Sequence, residues 1–180
     1  MRAGDRIAAL KVKARQQQLV ILVWGPGDPG SGGSDLLRKY WQKRNQIRDN
    51  IASLYPNAEV MFSEDPALRE HTKGLGSTLD QELLDAQIAD CILVLDVSRG
   101  AHVEVDRFTS SPEIAAKMTI LIPDAYIGGT GLVSQVHRHA NVLGFSDEEL
   151  DRCEVATVKS VSAVDTAAIN RLLSQPRYSV

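Results

Sequence analysis

Acidic residues flank a glycine turn directly after one apolar run of this sequence. The run Cys91–Leu95 is followed by Asp96, then by Gly100 and Glu104. An apolar run without alternation is typical of a parallel strand buried on both faces, and ligands bind beyond the carboxyl ends of such strands. Glu104 then falls in the first turn of a helix, where the helix dipole stabilises a carboxylate, and Gly100 leaves room for a group bound against it. These residues mark a candidate site.

Each of these acids also has a purely structural interpretation. Glu104 can be a surface glutamate that favours the helix, and Asp96 can accept hydrogen bonds from nearby loop amides. Four further acids lie on or beside the preceding helix, where most are expected to face solvent and one to reach the same edge: Asp80, Glu82, Asp85 and Asp90.

Glycines form a second feature, directly after an earlier apolar strand. The stretch Gly25–Gly33 contains five glycines and spaces three of them as in a dinucleotide-binding fingerprint. The third, Gly30, follows Pro29 and so cannot lie inside the first helical turn as that motif requires, and no Gly-Lys-Ser/Thr of a P-loop follows. The loop still allows a ligand to approach the backbone, and helix-start amides attract phosphate. A plain mobile turn is the alternative.

Two aromatic residues stand next to the glycine loops. Trp24 precedes the first loop and Tyr126 precedes Gly128 and Gly129 of a second loop. Both are candidates to stack on a base, with core packing as the alternative for Trp24.

Composition excludes several classes of protein. Cys91 and Cys153 are too few for a disulfide framework or a zinc knuckle and indicate reduced thiols in a cytoplasmic protein. The histidines are scattered and no His-Glu-x-x-His motif appears, so we predict no metal site and no cofactor. No apolar run reaches the roughly 18 residues of a membrane span, and we expect no signal peptide.

Charge is unevenly distributed along the chain. Five basic residues and one acidic residue give the first 15 positions a net charge of +4, which leaves −7 for the rest of a chain whose total is −3. The net negative charge of residues 16–180 argues against a dedicated nucleic-acid binder. We expect residues 1–17 to form a solvated basic arm and residues 18–180 a single domain. Docking of the arm on a neighbour or on nucleic acid is the alternative.

Strand and helix patterns alternate along residues 18–180. Ser34 is expected to cap the helix after the first glycine loop and Thr78–Gln81 to form a capping box. Residues 64–77 lack periodicity and predict a loop. Strands are expected at 19–24, 58–63, 91–95, 118–122 and 154–161, and helices at 35–55, 78–88, 101–109, 132–140, 146–149 and 163–173.

This alternation predicts an α/β fold. Right-handed crossovers between parallel strands give three layers, α/β/α, around a five-stranded parallel sheet in the flavodoxin-like or Rossmann-like order 2-1-3-4-5. Arg44 and Arg48 lie too far along the first crossover helix to reach its amino end. They are expected to be solvated or salt-bridged.

Three short segments, in this order and spacing, resemble the nucleoside 2-deoxyribosyltransferase-like superfamily, which is related to the Toll/interleukin-receptor-like NAD-cleaving domains. The segments are the strand that ends in Gly25-Pro26, the Ala89-Asp90 pair that opens the strand ending at Asp96, and Gly100-x-x-x-Glu104. They span residues 19 to about 123.

The resemblance implies cleavage of the base–sugar bond of a nucleotide, nucleoside or NAD. Glu104 inherits the role of the carboxylate that attacks or stabilises the anomeric carbon, and Asp96, with Asp85 in reserve, is expected to be the second carboxyl, acting as acid. Relatives often complete their sites across a dimer, so a homodimer stays open. Substrate contacts are expected from Trp24, Gly25, Pro26, Gly27, Gly100 and Tyr126.

Two other functions stay open at this point. A non-catalytic nucleotide-binding sensor or regulatory module of the same fold is expected to be stabilised by its ligand without releasing a base. A Rossmann oxidoreductase is expected to hold the cofactor ribose with Glu64 or Asp65.

Overall fold

A computed structural model of the chain contains one five-stranded sheet, and it describes residues 3–71, 74, 77–97, 105–127 and 139–174. All strand pairs are parallel and the order is β2-β1-β3-β4-β5, which confirms the predicted order. The strands are β1 Val20–Trp24, β2 Glu59–Met61, β3 Cys91–Leu95, β4 Met118–Pro123 and β5 Asn141–Phe145.

Helices cover both faces of the sheet. They are α1 Ala3–Ala14, α2 Asp35–Leu54, α3 Pro66–His71, α4 Thr78–Ile88, α5 at residues 105–108, α6 Pro112–Ala115, α7 Asp147–Asp151 and α8 Ser160–Ser174. A 3-10 turn, Asp124–Tyr126, follows β4, and a π-helical turn, Val155–Lys159, precedes α8.

The alternation of side chains along β3 separates two apolar cores. Cys91, Leu93 and Leu95 pack with residues of α2 and α8, while Ile92 and Val94 pack with residues of α3, α4, α5 and α6. All five residues of β3 are buried, as a central parallel strand covered on both faces requires. The molecule therefore has the predicted three layers.

The predicted basic arm contains α1, which packs on α8. Lys11 and Arg15, at and beyond the last turn of α1, both pair with Asp165 of α8. Among the described residues, no helix is long and apolar enough to cross a bilayer.

The fifth strand was predicted in the wrong segment. Residues 154–161 are helical, since the Val155–Lys159 turn runs directly into α8, and the strand beside β4 is instead β5. The alternation that predicted a strand is imperfect here, because the adjacent residues Val155 and Ala156 are both buried. Short apolar patterns of this kind do not distinguish the two periods.

The connection from β2 to β3 also differs from the expectation. Part of the predicted loop is α3, which starts with Pro66 at a position where the missing N–H costs nothing. The cap of α4 is Ser77 rather than Thr78, because the Ser77 hydroxyl accepts from the Asp80 amide at 3.2 Å. Most of the helix predicted at 132–140 lies outside the described residues, as does the start of that predicted at 101–109.

Candidate functional site

The carboxyl ends of β1 and β3 meet where the sequence predicts ligand contacts. Trp24 pairs with Val94 across the two strands, so the next residue, Gly25, lies against Leu95. Gly25 has φ 150°, and a Cβ added there would lie 3.1 Å from the Leu95 Cβ. Only glycine fits this close approach without strain.

Buried Arg44 of α2 holds the same edge of the sheet. Its guanidinium donates to the Val23 carbonyl at 2.9 and 3.0 Å and to the Pro26 carbonyl at 3.4 Å. It also forms a bidentate ion pair with Glu64, beyond the end of β2, and its Cζ lies 4.0 Å from the centre of the Phe62 ring. Arg44 therefore ties the turn after β1 to the turn after β2.

Both acids considered for a ribose after β2 have partners in the protein. Burial is the largest single influence on the pKa of Glu64 and acts to raise it, but the hydrogen bonds and charge of Arg44, together with hydrogen bonds from the Glu64 amide and Ser63, outweigh burial and lower the pKa. The Glu64 side chain remains 41% exposed. Asp65 accepts a hydrogen bond from the Phe62 amide at 2.8 Å, which closes the turn before α3. Glu64 is therefore ionised and held in place by Arg44, while Asp65 accepts a hydrogen bond from the main chain.

A small polar cavity opens between α3 and α4, beside the end of β2. Its volume is about 140 Å³. One of its lining residues is the buried Asp85, on the second turn of α4. The lining residues are Ser63, Arg69, Thr78, Gln81, Glu82 and Asp85.

The Asp85 carboxyl is 3% exposed, and its Oδ1 atom has no hydrogen-bond partner in the described part of the chain. Burial, with a smaller contribution from the Glu82 charge, raises the pKa of Asp85 to about 6. A buried carboxyl without a partner is costly. Asp85 therefore retains a proton much closer to neutral pH than an ordinary aspartate.

Glu82, one turn before Asp85 on α4, lies within electrostatic reach of residues on two other helices, α3 and α5. Burial raises the pKa of Glu82, and the charges of Arg107 on α5 and Arg69 on α3 partly oppose that rise. Both arginines therefore lie within electrostatic reach of the cavity mouth. The first described residue of α5, Val105, is fully buried in the core shared with α4.

The other predicted catalytic residues lie apart from this cavity or outside the description. Asp96 is 5% exposed at the end of β3 and is not among the residues that line the Asp85 cavity. Glu104 and Gly100 lie outside the described residues. The described structure thus gives Asp85, the reserve candidate, the surroundings expected of a titrating group in a site.

The predicted substrate contacts fall into different environments. Trp24 is 1% exposed and packs on Phe108 with ring centres 5.0 Å apart. Pro26 is buried and Gly27 exposed. Tyr126 is 60% exposed and lies close enough to Tyr40 of α2 to raise the pKa of that phenol, after the larger effect of burial. Trp24 thus packs toward α4 and α5, whereas Tyr126 lies on the α2 side.

Sequence reasoning missed the role of Arg44, although a signal was present. Tyr40, Arg44, Ile47 and Ile51 share one face of α2, and all four are buried. An arginine at an inward position of an amphipathic helix requires a buried partner. The expectation of a salt bridge is correct, and the expectation of solvent exposure is wrong.

No group of histidine, cysteine, aspartate and glutamate residues in the described ranges has the arrangement of a metal site. Comparison with protein-family models finds no match for this chain, and comparison with curated proteins finds none either.

Proposed function

We propose that this protein cleaves the bond between a base and its sugar in a nucleotide, nucleoside or NAD, by hydrolysis or by transfer of the sugar. The observation that carries the proposal is the Asp85 carboxyl, which is buried, has no partner for Oδ1 among the described residues, and lines a polar cavity. A carboxyl with a pKa of about 6 can donate a proton near neutral pH.

A proton donor matches what departure of a neutral base requires. The electron pair of the breaking bond passes to the base nitrogen. In a nucleoside or nucleotide, a proton from Asp85 neutralises the negative charge that builds up on the base, whereas nicotinamide leaves NAD as a neutral base and needs no proton. The anomeric carbon becomes positively charged and is stabilised or attacked by a carboxylate. We assign the acid role to Asp85 rather than Asp96, because Asp85 lines the cavity.

The carboxylate that faces the anomeric carbon is proposed to be Glu104, on the strength of the family resemblance. Support comes from the position of Arg107, three residues further along, whose charge acts on Glu82 of α4. Helix α5, which follows Glu104 in the sequence, therefore lies near α4, the helix that carries Asp85. We propose cytoplasmic nucleotides as the substrates, with a homodimer as the form to be tested.

Base release is the direct test of this proposal. The protein is incubated with a panel of nucleosides, nucleotides and NAD, and free bases are measured by chromatography. We expect at least one substrate to lose its base, and Glu104→Gln to reduce the rate by about 100-fold or more while binding is retained. Asp80→Asn, on the exposed side of α4, is the matched control and should keep the wild-type rate.

Two results contradict the proposal. If no base appears over hours while a nucleotide raises the melting temperature, the protein is a binding module rather than an enzyme. If Glu104→Gln turns over at the wild-type rate, another group faces the anomeric carbon.

A further inference from the structure

We propose that Glu64 is a specificity-determining residue that accepts a hydrogen bond from the 2-hydroxyl of the substrate sugar, so that the protein selects ribosides over 2-deoxyribosides. This inference rests on the proposed function for the identity of the ligand as a glycoside. It concerns a residue that the proposed reaction itself does not use.

The position of Glu64 places it on the approach to the Asp85 cavity. A second, wider concavity of about 460 Å³ adjoins that cavity and shares Arg69 and Gln81 with it. Its lining residues are Glu64, Pro66, Arg69, Glu70, Gly74 and Gln81. The two concavities together offer a small inner space and a broader outer one.

The volumes of the two concavities indicate which one would hold the base of a glycoside and which one the sugar. The inner cavity, at about 140 Å³, is smaller than the roughly 300 to 1,000 Å³ of pockets that enclose a whole drug-sized ligand. One ring system fits there, next to the proton donor Asp85. The sugar is left in the outer concavity, and its 2-hydroxyl, on the carbon next to the glycosidic bond, is the hydroxyl nearest to the boundary.

The chemical state of Glu64 selects a hydroxyl rather than a phosphate. Its ion pair with Arg44 keeps the carboxylate ionised, so that it can accept hydrogen bonds but cannot donate them. A second acid, Glu70, lines the same concavity. These two carboxylates outnumber the one cation of the described lining, Arg69, so the concavity disfavours an anion, whereas a neutral sugar hydroxyl supplies the donor that Glu64 needs.

Glu64 also has the acceptor capacity and the rigidity for this role. A carboxylate offers about four acceptor sites. Arg44 fills two of them, the Glu64 backbone amide also donates to the carboxylate, and the Ser63 hydroxyl donates at 3.3 Å. The Glu64 side chain is 41% exposed, so a ligand hydroxyl can replace the long Ser63 contact. Because buried Arg44 is anchored on the Val23 carbonyl, the carboxylate is held before the ligand arrives.

The test compares a ribonucleoside with its 2-deoxy counterpart, neither of which carries an anion, both for base release and for binding measured by calorimetry. We expect the wild type to prefer the riboside by about 10- to 100-fold, mainly through KM or Kd, because one hydrogen bond to a partly exposed charged group is at stake. Glu64→Gln should weaken this preference, because an amide oxygen is a poorer acceptor than a carboxylate, and the ratio between the two sugars cancels any general loss of activity in the variant.

Glu59→Gln is the matched control, because Glu59 is an exposed acid at the opposite end of β2 and should keep the preference. Melting temperatures of all variants show that they are folded. The inference is overturned if the wild type binds and cleaves the riboside and the 2-deoxyriboside equally well. It is also overturned if Glu64→Gln keeps the wild-type preference. If binding discriminates the sugars but no base is released, the proposed reaction fails and the hydroxyl contact stands.

Discussion

Two aspartates of this protein are equally buried but differ in their hydrogen-bond partners and in the direction of their pKa shifts. Asp85 and Asp165 are each 3% exposed, on helices that pack against opposite faces of the sheet. Asp165 accepts hydrogen bonds from Arg15 at 2.9 and 3.0 Å and from the Tyr55 hydroxyl at 2.6 Å, and it pairs with Lys11 at 3.0 Å. The Oδ1 atom of Asp85 is buried and accepts no hydrogen bond from any described residue.

The pKa shifts of the two carboxyls follow from this difference. Burial acts to raise both, but the donors around Asp165 outweigh it and lower the pKa of that carboxyl. No donor opposes burial at Asp85, whose pKa rises to about 6. Equal burial therefore yields a structural anion on one face and a titrating acid on the other. An unpartnered carboxyl is kept at a stability cost, which is typical of functional sites.

Replacing Asp85 by asparagine should have the largest effect, and that effect is on turnover. Asp85→Asn removes the proton donor without changing the size of the side chain, so base release should fall by about 100- to 10,000-fold. Initial rates measured by chromatography on the substrate found in the panel check this. Asp165→Asn, assayed at a temperature where it is folded, should keep a rate near that of the wild type. A wild-type rate in Asp85→Asn would remove Asp85 from the reaction.

The same replacement at Asp165 should have the largest effect on stability. Asp165→Asn leaves Arg15 and Lys11 facing a neutral group and weakens the contact between α1 and α8. Both cations are partly exposed, so we expect a loss of about 2 to 3 kcal/mol in the free energy of unfolding. Urea unfolding monitored by circular dichroism gives the value. A change below about 0.5 kcal/mol would show that the cluster is not structural.

Removal of the Tyr55 hydroxyl should have a smaller effect in the same cluster. Tyr55 is fully buried and donates to Asp165, so Tyr55→Phe should cost about 1 to 1.5 kcal/mol. Measured together with Asp165→Asn in a double-mutant cycle, the two changes should be strongly non-additive. Additive effects would mean that the two groups do not act as a unit.

The pH dependence of stability separates the two carboxyls by the sign of its slope. Between the ordinary pKa of 3.8 and about 6, folded Asp85 holds a proton that the unfolded chain has lost. Asp85 therefore makes the protein less stable as pH rises through this window. Asp165 has the opposite sign, since its contribution is present above pH 3.8 and disappears as the pH falls through its lowered pKa.

Comparing urea unfolding of the wild type and Asp85→Asn from pH 4 to pH 7 tests this sign. The variant should lack the downward slope and be more stable than the wild type at pH 7, by about 1 kcal/mol, because it buries no charge. Parallel curves would show that Asp85 titrates like a solvated aspartate.

The sheet was predictable because its central strands are unambiguous. β1 and β3 are apolar on both faces and bounded by glycine or acid, so both their existence and their parallel pairing follow from pattern alone. β5 was missed because Gly144 interrupts it and its flank is polar. A Cβ added at Gly144 would meet the ends of the Asp124 and Ile127 side chains, so a larger residue there requires those side chains to move.

The candidate site was less predictable, for a different reason. The sequence places Asp96 at the mouth of the sheet by its position after β3, and this required no knowledge of side-chain partners. The roles of Arg44 and Asp85 depend on which neighbours meet them across the fold. Arg44 finds Glu64 20 residues away, and Asp85 finds no partner for its Oδ1 within the described ranges. Spacing along one helix does not encode such tertiary partners.

The protonation of Asp85 is the point on which the comparison of the two aspartates depends. A carbon-13 NMR titration of the aspartate carboxyls, with the Asp85 signal assigned by its loss in Asp85→Asn, measures it directly. We expect the Asp85 carboxyl to titrate near pH 6 and the Asp165 carboxyl to titrate below the pKa of an ordinary aspartate. A midpoint for Asp85 near 4 would contradict the account, because the carboxyl would then carry no proton to donate near neutral pH.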